Sequence, residues 1–297
     1  MAQTESELRR IFLGRGFKPS KSLGQNFLVD HNLLKLIARE AELSREDFVL
    51  EVGGGTGLLS GYLAREAGWL FSVEIDARLC EIWRMFMGGV ANAELLNADV
   101  LGSKHSLNEE VRRRVRARFN ELGLRRFKCV SNLPYSVGTS VIVSLLEDGL
   151  DLLVVTVQKE VGEKIAAPEG ARERGLIGAV VQLLGSPRIR RVISRTVFYP
   201  RPRVDSVLLR IEPKPRPERY ESLKFVASQL YRYRRKTLAS AVKLAFQLPG
   251  KEVVRKAGLP ERLRAESLDG PSLVRLTRTL EDGYGRSTDG TGYLAAF

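Results

Sequence analysis

The chain has 297 residues, 48 Lys and Arg against 35 Asp and Glu, a net charge of +13 and 43% hydrophobic residues. That length suggests about two domains with sizeable cores, and the excess positive charge suits a phosphate-bearing partner rather than an acidic small molecule. Two cysteines, Cys80 and Cys129, give no disulfide framework, and with only His31 and His105 beside them no metal site can be assembled.

In chain order, a polar start, Met1 to Arg10, has no signal-peptide core, and no apolar run approaches membrane-spanning length. A soluble cytoplasmic protein is the expectation. An N-terminal arm (1–29) leads to a helix from about Asp30 to Ala41, with Leu33, Leu34, Ile37 and Ala38 on one face. Asp47–Val52 reads as a buried strand, followed by Gly53-Gly54-Gly55-Thr56-Gly57 and a helical run of Leu58, Leu59, Tyr62 and Leu63. Strand, glycine turn and helix open a nucleotide-binding α/β unit. Trp69–Ile75 is a second strand ending at Glu74, where a carboxylate can take both hydroxyls of a ribose. Leu58 stands where a dinucleotide fingerprint needs a small residue, so a nicotinamide cofactor is disfavoured. Glu51 before the glycines is expected to suit a sulfonium ligand better than a pyrophosphate. A third strand, Glu94–Asn97, places Asp99 where an adenine amino group would donate.

Residues 102–127 form a basic insertion. Between Leu101 and Lys128 there are nine Lys or Arg against three Glu, centred on Arg112–Arg118. Phe127–Ser131 then reads as a strand leading into Asn132-Leu133-Pro134-Tyr135. The lone pair of an exocyclic ring amine is delocalised, so the nitrogen is a poor nucleophile. A side-chain carbonyl on Asn132 and a backbone carbonyl before the proline can accept both amino hydrogens and aim that lone pair at a methyl donor, while Tyr135 offers a stacking face. Such catalysis needs positioning and fixed dipoles, not a strong base. Val141, Ile142, Leu145 and Leu146 mark the next helix, and Leu152–Val157 a buried strand. Arg188–Ser194 and Val204–Ile211 read as an antiparallel pair bridged by a turn that exposes Phe198. Pro213, Pro215 and Pro217 mark a linker. Leu223–Leu244, Val253–Ala257 and Leu273–Leu280 read as helices, and 282–297 as a Gly/Ser/Thr-rich tail.

The alternation of strands and helices implies an α/β fold with a parallel sheet covered on both sides. The chain resembles the ribosomal RNA adenine dimethylases, in particular the small-subunit branch. The resemblance is carried by Lys21–Leu28, Glu51–Gly57, Glu74-Ile75-Asp76, Asn132–Tyr135, Val157–Glu160, Phe198–Ser206 and Tyr233–Leu238. It implies a Rossmann-like methyltransferase domain over residues 1–212 and a small helical RNA-binding domain over 213–297. S-adenosylmethionine would be held by Asn26, Leu28, Gly53, Gly55, Glu74, Asp99 and Asn132. The reaction would be dimethylation of adenine N6 in small-subunit rRNA near its 3' end, with the base between Tyr135 and Phe198 and its amine facing Asn132, Leu133 and Pro134. Gly54 departs from a position where the family commonly has proline, and Ser131 from a smaller residue.

Two basic runs supply candidate RNA contacts: Arg112, Arg113 and Arg116 in the insertion, and Arg234, Arg235 and Lys236 in Lys214–Lys243, where nine basic residues face two acids. Arg201 and Arg203 join them from the Phe198 loop. The expected partner is small-subunit rRNA or the pre-30S particle, met by a monomer. Two other readings are a large-subunit rRNA adenine methylase conferring antibiotic resistance and a non-catalytic ribosome-assembly factor on the same fold.

Overall fold

The computed structural model describes residues 4–103 and 106–284. His105 and the tail beyond Tyr284 lie outside the described residues. By internal packing the chain divides into two compact units, Met1–Gly162 with Gly185–Pro213, and Glu163–Leu184 with Lys214–Phe297.

In the first unit, α1 (Glu5–Gly14), β1 (Phe27–Leu28), α2 (His31–Glu40), β2 (Asp47–Val52), α3 (Leu58–Glu66), β3 (Trp69–Glu74), α4 (Ala77–Met87) and β4 (Ala93–Asn97) follow in order. Next come a small hairpin of β5 (Leu101–Ser103) and β6 (Ser106–Leu107), α5 (Glu109–Leu122), β7 (Arg126–Asn132), α6 (Gly138–Asp148) and β8 (Leu152–Gln158). Helix α7 (Lys159–Ala166) carries the chain into the second unit and α8 (Leu176–Leu184) carries it back to β9 (Gly185–Ile193), β10 (Phe198–Tyr199) and β11 (Ser206–Pro213).

Seven strands form one sheet in the order β4-β3-β2-β7-β8-β11-β9. The first five are mutually parallel, and β11 is antiparallel to both β8 and β9. All six residues of β2 are buried, as are all but the last of β8. Such continuous burial marks strands covered on both faces. From β2 the chain moves outward to β3 and β4, then returns to the other side of β2 as β7. The switch point therefore lies between β2 and β7, where open α/β sheets bind ligands beyond the carboxyl ends of their strands.

Local chemistry sets the element ends. Asp30 caps α2 by accepting the Leu33 amide at 2.8 Å, and Asn108 caps α5 by accepting that of Glu110 at 2.9 Å. His31, the first residue of α2, is half-buried, its ring nitrogen 2.8 Å from the Tyr62 hydroxyl. A satellite core of Leu8, Phe12, Phe17, Phe27, Leu79 and Ile82 ties α1 and the arm to α4.

The second unit contains α9 (Tyr220–Tyr231), α10 (Leu238–Phe246), α11 (Gly250–Lys256) and α12 (Gly270–Tyr284), with α8 packed among them. Residues 163–184 join this unit, not the sheet, because Leu176 and Leu183 pack against its core around Leu223, Leu230 and Leu276. The single helix expected over 223–244 is two helices. Thr237 caps α10 by accepting the Ser240 amide at 3.3 Å, which leaves Arg234, Arg235 and Lys236 exposed in the connection.

Candidate functional site

A cleft opens at the carboxyl ends of β2, β3, β4 and β7. It is lined by Val52, Gly53 and Gly55 at the end of β2, Glu74 and Ile75 at the end of β3, Ala98 and Asp99 after β4, and Asn132–Val137 at the end of β7. The arm closes one side with Leu23 to Phe27. Most of the expected ligand residues are thus gathered in one place: Asn26, Gly53, Gly55, Glu74, Asp99 and Asn132, with Leu133, Pro134 and Tyr135 beside them.

The glycine turn and the Asn132–Tyr135 loop are in direct contact. Gly53 has φ +80, and a Cβ there would stand 3.2 Å from Cγ and Cδ of Pro134. Gly24, with φ +65, would put its Cβ 3.2 Å from the Tyr135 nitrogen. Both positions need glycine, for the left-handed backbone and for the close approach.

Glu74 is 6% exposed. One carboxylate oxygen accepts the Gly55 amide and the other the Asp76 amide, each at 2.9 Å. Burial holds its pKa above the ordinary value, opposed by those amide bonds. Next to it Ile75 is 45% exposed, an apolar side chain left open inside the cleft. A carboxylate acceptor beside an uncovered apolar face matches a ribose joined to a flat base. Asp99 is exposed at the rim, one oxygen accepting the Leu101 amide at 2.9 Å.

Asn132 is held from two sides. Its Nδ2 donates to the Asn26 carbonyl at 2.9 Å, which fixes the amide the right way round. Its Oδ1 accepts the hydroxyl of Thr156, the directly paired residue on β8. Thr156 is 1% exposed and escaped sequence reading, since a Thr within a Leu-Leu-Val-Val-Thr-Val run looks like strand core. Tyr135 is anchored through its hydroxyl, 2.7 Å from that of Ser206 on β11. Burial raises the Tyr135 pKa, so its hydroxyl stays protonated.

Three expectations are corrected. Phe198 is not on an exposed turn. It is 3% exposed, does not line the cleft, and packs with Leu28, Leu34, Ile193 and Leu208 because β10 pairs with β1. The aromatic rings lining the cleft are those of Phe27 and Tyr135. Leu28 is likewise core, 5% exposed, and does not line the cleft. Glu51 faces away from the cleft: its Oε2 accepts the hydroxyls of Ser60 and Ser72, each at 2.5 Å, and Trp83 donates to Ser60 at 2.8 Å. Burial raises its pKa to about 8, so at neutral pH it is mostly uncharged and offers no charge to a sulfonium.

The basic candidates divide by what surrounds them. Arg112 is inside a lattice of ion pairs, bonded to Asp148 at 2.8 Å and to Glu109. Arg113 meets Glu110 at 2.7 Å, and Arg118 meets Glu94 and Glu121 at 2.9 Å. The arginines of α5 thus largely balance nearby carboxylates, some brought from distant elements. Arg116, Arg201, Arg203, Arg234, Arg235 and Lys236 are exposed.

A family model for ribosomal RNA adenine dimethylases matches residues 16–269. The chain belongs to this family. Within the ribosomal RNA adenine dimethylases, it is 34% identical to the ribosomal RNA small subunit methyltransferase A of Halothermothrix orenii, over 89% of this chain and 88% of that one. It is 35% identical to the protein of the same name from Moorella thermoacetica, over 90% and 94%. Among solved structures, a dimethyladenosine transferase from Plasmodium falciparum shares the fold with a TM-score of 0.70, 22% identity and coverage of 84% and 95%. The 23S rRNA methyltransferase ErmE does so with a TM-score of 0.62, 23% identity and coverage of 86% and 99%. Among the described residues no group of His, Cys, Asp and Glu could hold a metal ion, and no helix is long and apolar enough to cross a membrane.

Proposed function

We propose that this chain is an S-adenosylmethionine-dependent dimethyltransferase acting on N6 of adenines near the 3' end of small-subunit rRNA. The observation that carries the reading is the doubly held Asn132 amide at the end of β7, lining a cleft that also contains a buried carboxylate and an open apolar side chain.

S-adenosylmethionine, when bound, supplies an electrophilic methyl group. Glu74 would take the ribose hydroxyls and Ile75 would cover the base of the donor, with Asp99 accepting its amino group. Gly53, Gly55 and the arm around Asn26 shape the remainder of the cradle. Asn132 acts on the target adenine. With one lone pair of Oδ1 taken by Thr156, the other accepts an amino hydrogen of the substrate. The Leu133 carbonyl takes the second. Holding both hydrogens in the ring plane turns the nitrogen lone pair toward the methyl donor, and no side chain has to remove a proton before attack. Tyr135, fixed by Ser206, offers its ring as a stacking platform that needs no rearrangement on binding. An adenine in an RNA loop costs little to unstack.

The exposed Arg234, Arg235 and Lys236 in the helical unit, and Arg201 and Arg203 before β11, would contact rRNA phosphates. The enzyme would act in the cytoplasm as a monomer on the pre-30S particle. The test is incubation of under-methylated small and large subunits with the protein and labelled cofactor, followed by mass spectrometry of nucleosides. N6,N6-dimethyladenosine in the small subunit alone is the expected result. Label in the large subunit alone, or none in either, would overturn the proposal.

A further inference from the structure

From Arg188 to Arg203 the chain holds six arginines and no acidic residue. This stretch runs along β9, the edge strand of the sheet, then through a short helical turn and β10 into the loop before β11. All six arginines are exposed. Two are partly engaged: Arg190 meets Glu40 at 2.7 Å, and the Arg195 guanidinium donates to the Arg203 carbonyl at 3.2 Å. Among the described residues, the side chains of Arg188, Arg191, Arg201 and Arg203 have no carboxylate partner. The contrast with α5, whose Arg112, Arg113, Arg114 and Arg118 all have acidic partners, is direct.

The row leads to the cleft. Its far end is flanked by Tyr199, paired with the cleft residue Phe27 across β1 and β10, and by Ser206, which holds the cleft residue Tyr135. The intervening loop, with Arg201 and Arg203, is therefore fixed at both ends to the place where the target base would sit. From Arg188 to Ile193 an extended strand spans about 17 Å, a length along which several phosphates fit. The row has no aromatic or Met anchor along β9, as a protein-binding surface would be expected to have, and only Val192 is an exposed large apolar side chain there. Arginine forks match phosphate oxygens in pairs.

We propose that the β9 arginine row is the track for the RNA backbone adjoining the target adenine. The proposal rests on the methyltransferase reading above and adds where the substrate strand runs. The test uses the full chain and a double variant, Arg188→Gln with Arg191→Gln, neither of which lines the cofactor cleft. A protein-free fragment of small-subunit rRNA and intact under-methylated small subunits serve as probes. Binding to each is measured over a range of salt concentrations, with a paired control, Arg113→Gln with Arg114→Gln.

The salt slope for the rRNA fragment is expected to fall by about 1.4 in the double variant, about 0.7 for each single-strand phosphate that is no longer neutralised. S-adenosylmethionine affinity should be unchanged, which also reports that the fold is intact, and the α5 control should keep the wild-type slope. An unchanged slope in the β9 variant would overturn the track. Weaker binding to intact subunits but not to the free fragment would assign the row to a ribosomal protein, and would also overturn it. Either failure, with wild-type protein still methylating small subunits, leaves the enzymatic reading standing. Absence of methylation by the wild type would instead remove that reading.

Discussion

Thr156 donates its hydroxyl hydrogen to Asn132 Oδ1, across the β7–β8 pair in which the two residues are direct partners. The bond joins a residue outside the cleft lining to the group that would orient the substrate amine. It leaves Oδ1 with one free lone pair pointed by the fold. Thr156→Val keeps the shape of the side chain but removes the donor. Loss of one such bond is worth roughly 1 kcal/mol, so turnover should fall about fivefold. S-adenosylmethionine affinity should not change, and Thr156→Ser should restore turnover. Single-turnover methylation with titration calorimetry checks this. Equal turnover in the Val and Ser variants would mean the Asn26 carbonyl alone holds the amide.

Asn132→Ala removes the acceptor itself. Loss of a preorganised dipole at a reacting centre typically slows an enzyme by about 100-fold or more. The expected outcome is a turnover loss of that order with cofactor affinity changed by only a few fold. The comparison of kcat with the cofactor Kd decides it, because a residue that merely shaped the pocket would affect both.

As a ribose acceptor, Glu74 would tie cofactor binding to pH. A carboxyl accepts ribose hydroxyls most strongly when ionised, and burial holds this one above its ordinary value of 4.5. As pH falls through that raised pKa the acceptor is protonated, so S-adenosylmethionine should bind more weakly in acid, starting above pH 4.5. Titration calorimetry across this range should show the Kd rising for the wild type and staying flat, though weaker throughout, for Glu74→Ala. The Ala variant should still bind RNA. A Kd independent of pH in the wild type would remove Glu74 from the ribose site.

The legible and illegible parts of this site separate by the range of the interaction involved. The glycine turn, Glu74, Asp99 and Asn132–Tyr135 lie at the ends of strands that alternating elements make visible, and a parallel sheet places all those ends together. Phe198 was not legible, because its burial depends on β10 pairing with β1, a pairing between the arm and a loop remote in sequence. Glu51 sits next to the glycines in sequence, yet its side chain takes the opposite side of the strand, where Ser60, Ser72 and Trp83 meet it. The ion pairs that Arg112 and Arg118 of α5 make with Asp148 and Glu94 were not legible, because those carboxylates reach them only in three dimensions. Burial of Leu176 and Leu183 with the C-terminal helices could not be read from an apolar run that also suits the sheet.

Glu51 gives the protein a pH-dependent stability separate from catalysis. Its carboxyl is fully buried and its pKa is raised from 4.5 to about 8 by loss of solvation, opposed by the two serine hydroxyls. In the unfolded chain the group ionises at its ordinary value. Between these values the folded state holds the extra proton, so stability falls as pH rises from 4.5 to about 8 and levels off above. Glu51→Gln keeps an acceptor for Ser60 and Ser72 and cannot ionise. Thermal unfolding of the two proteins should therefore diverge with pH, the wild type losing up to a few kcal/mol relative to the variant on going from acid to mildly alkaline solution. Parallel curves would show that Glu51 titrates alike in the folded and unfolded states, against its full burial among Ser60, Ser72 and Trp83.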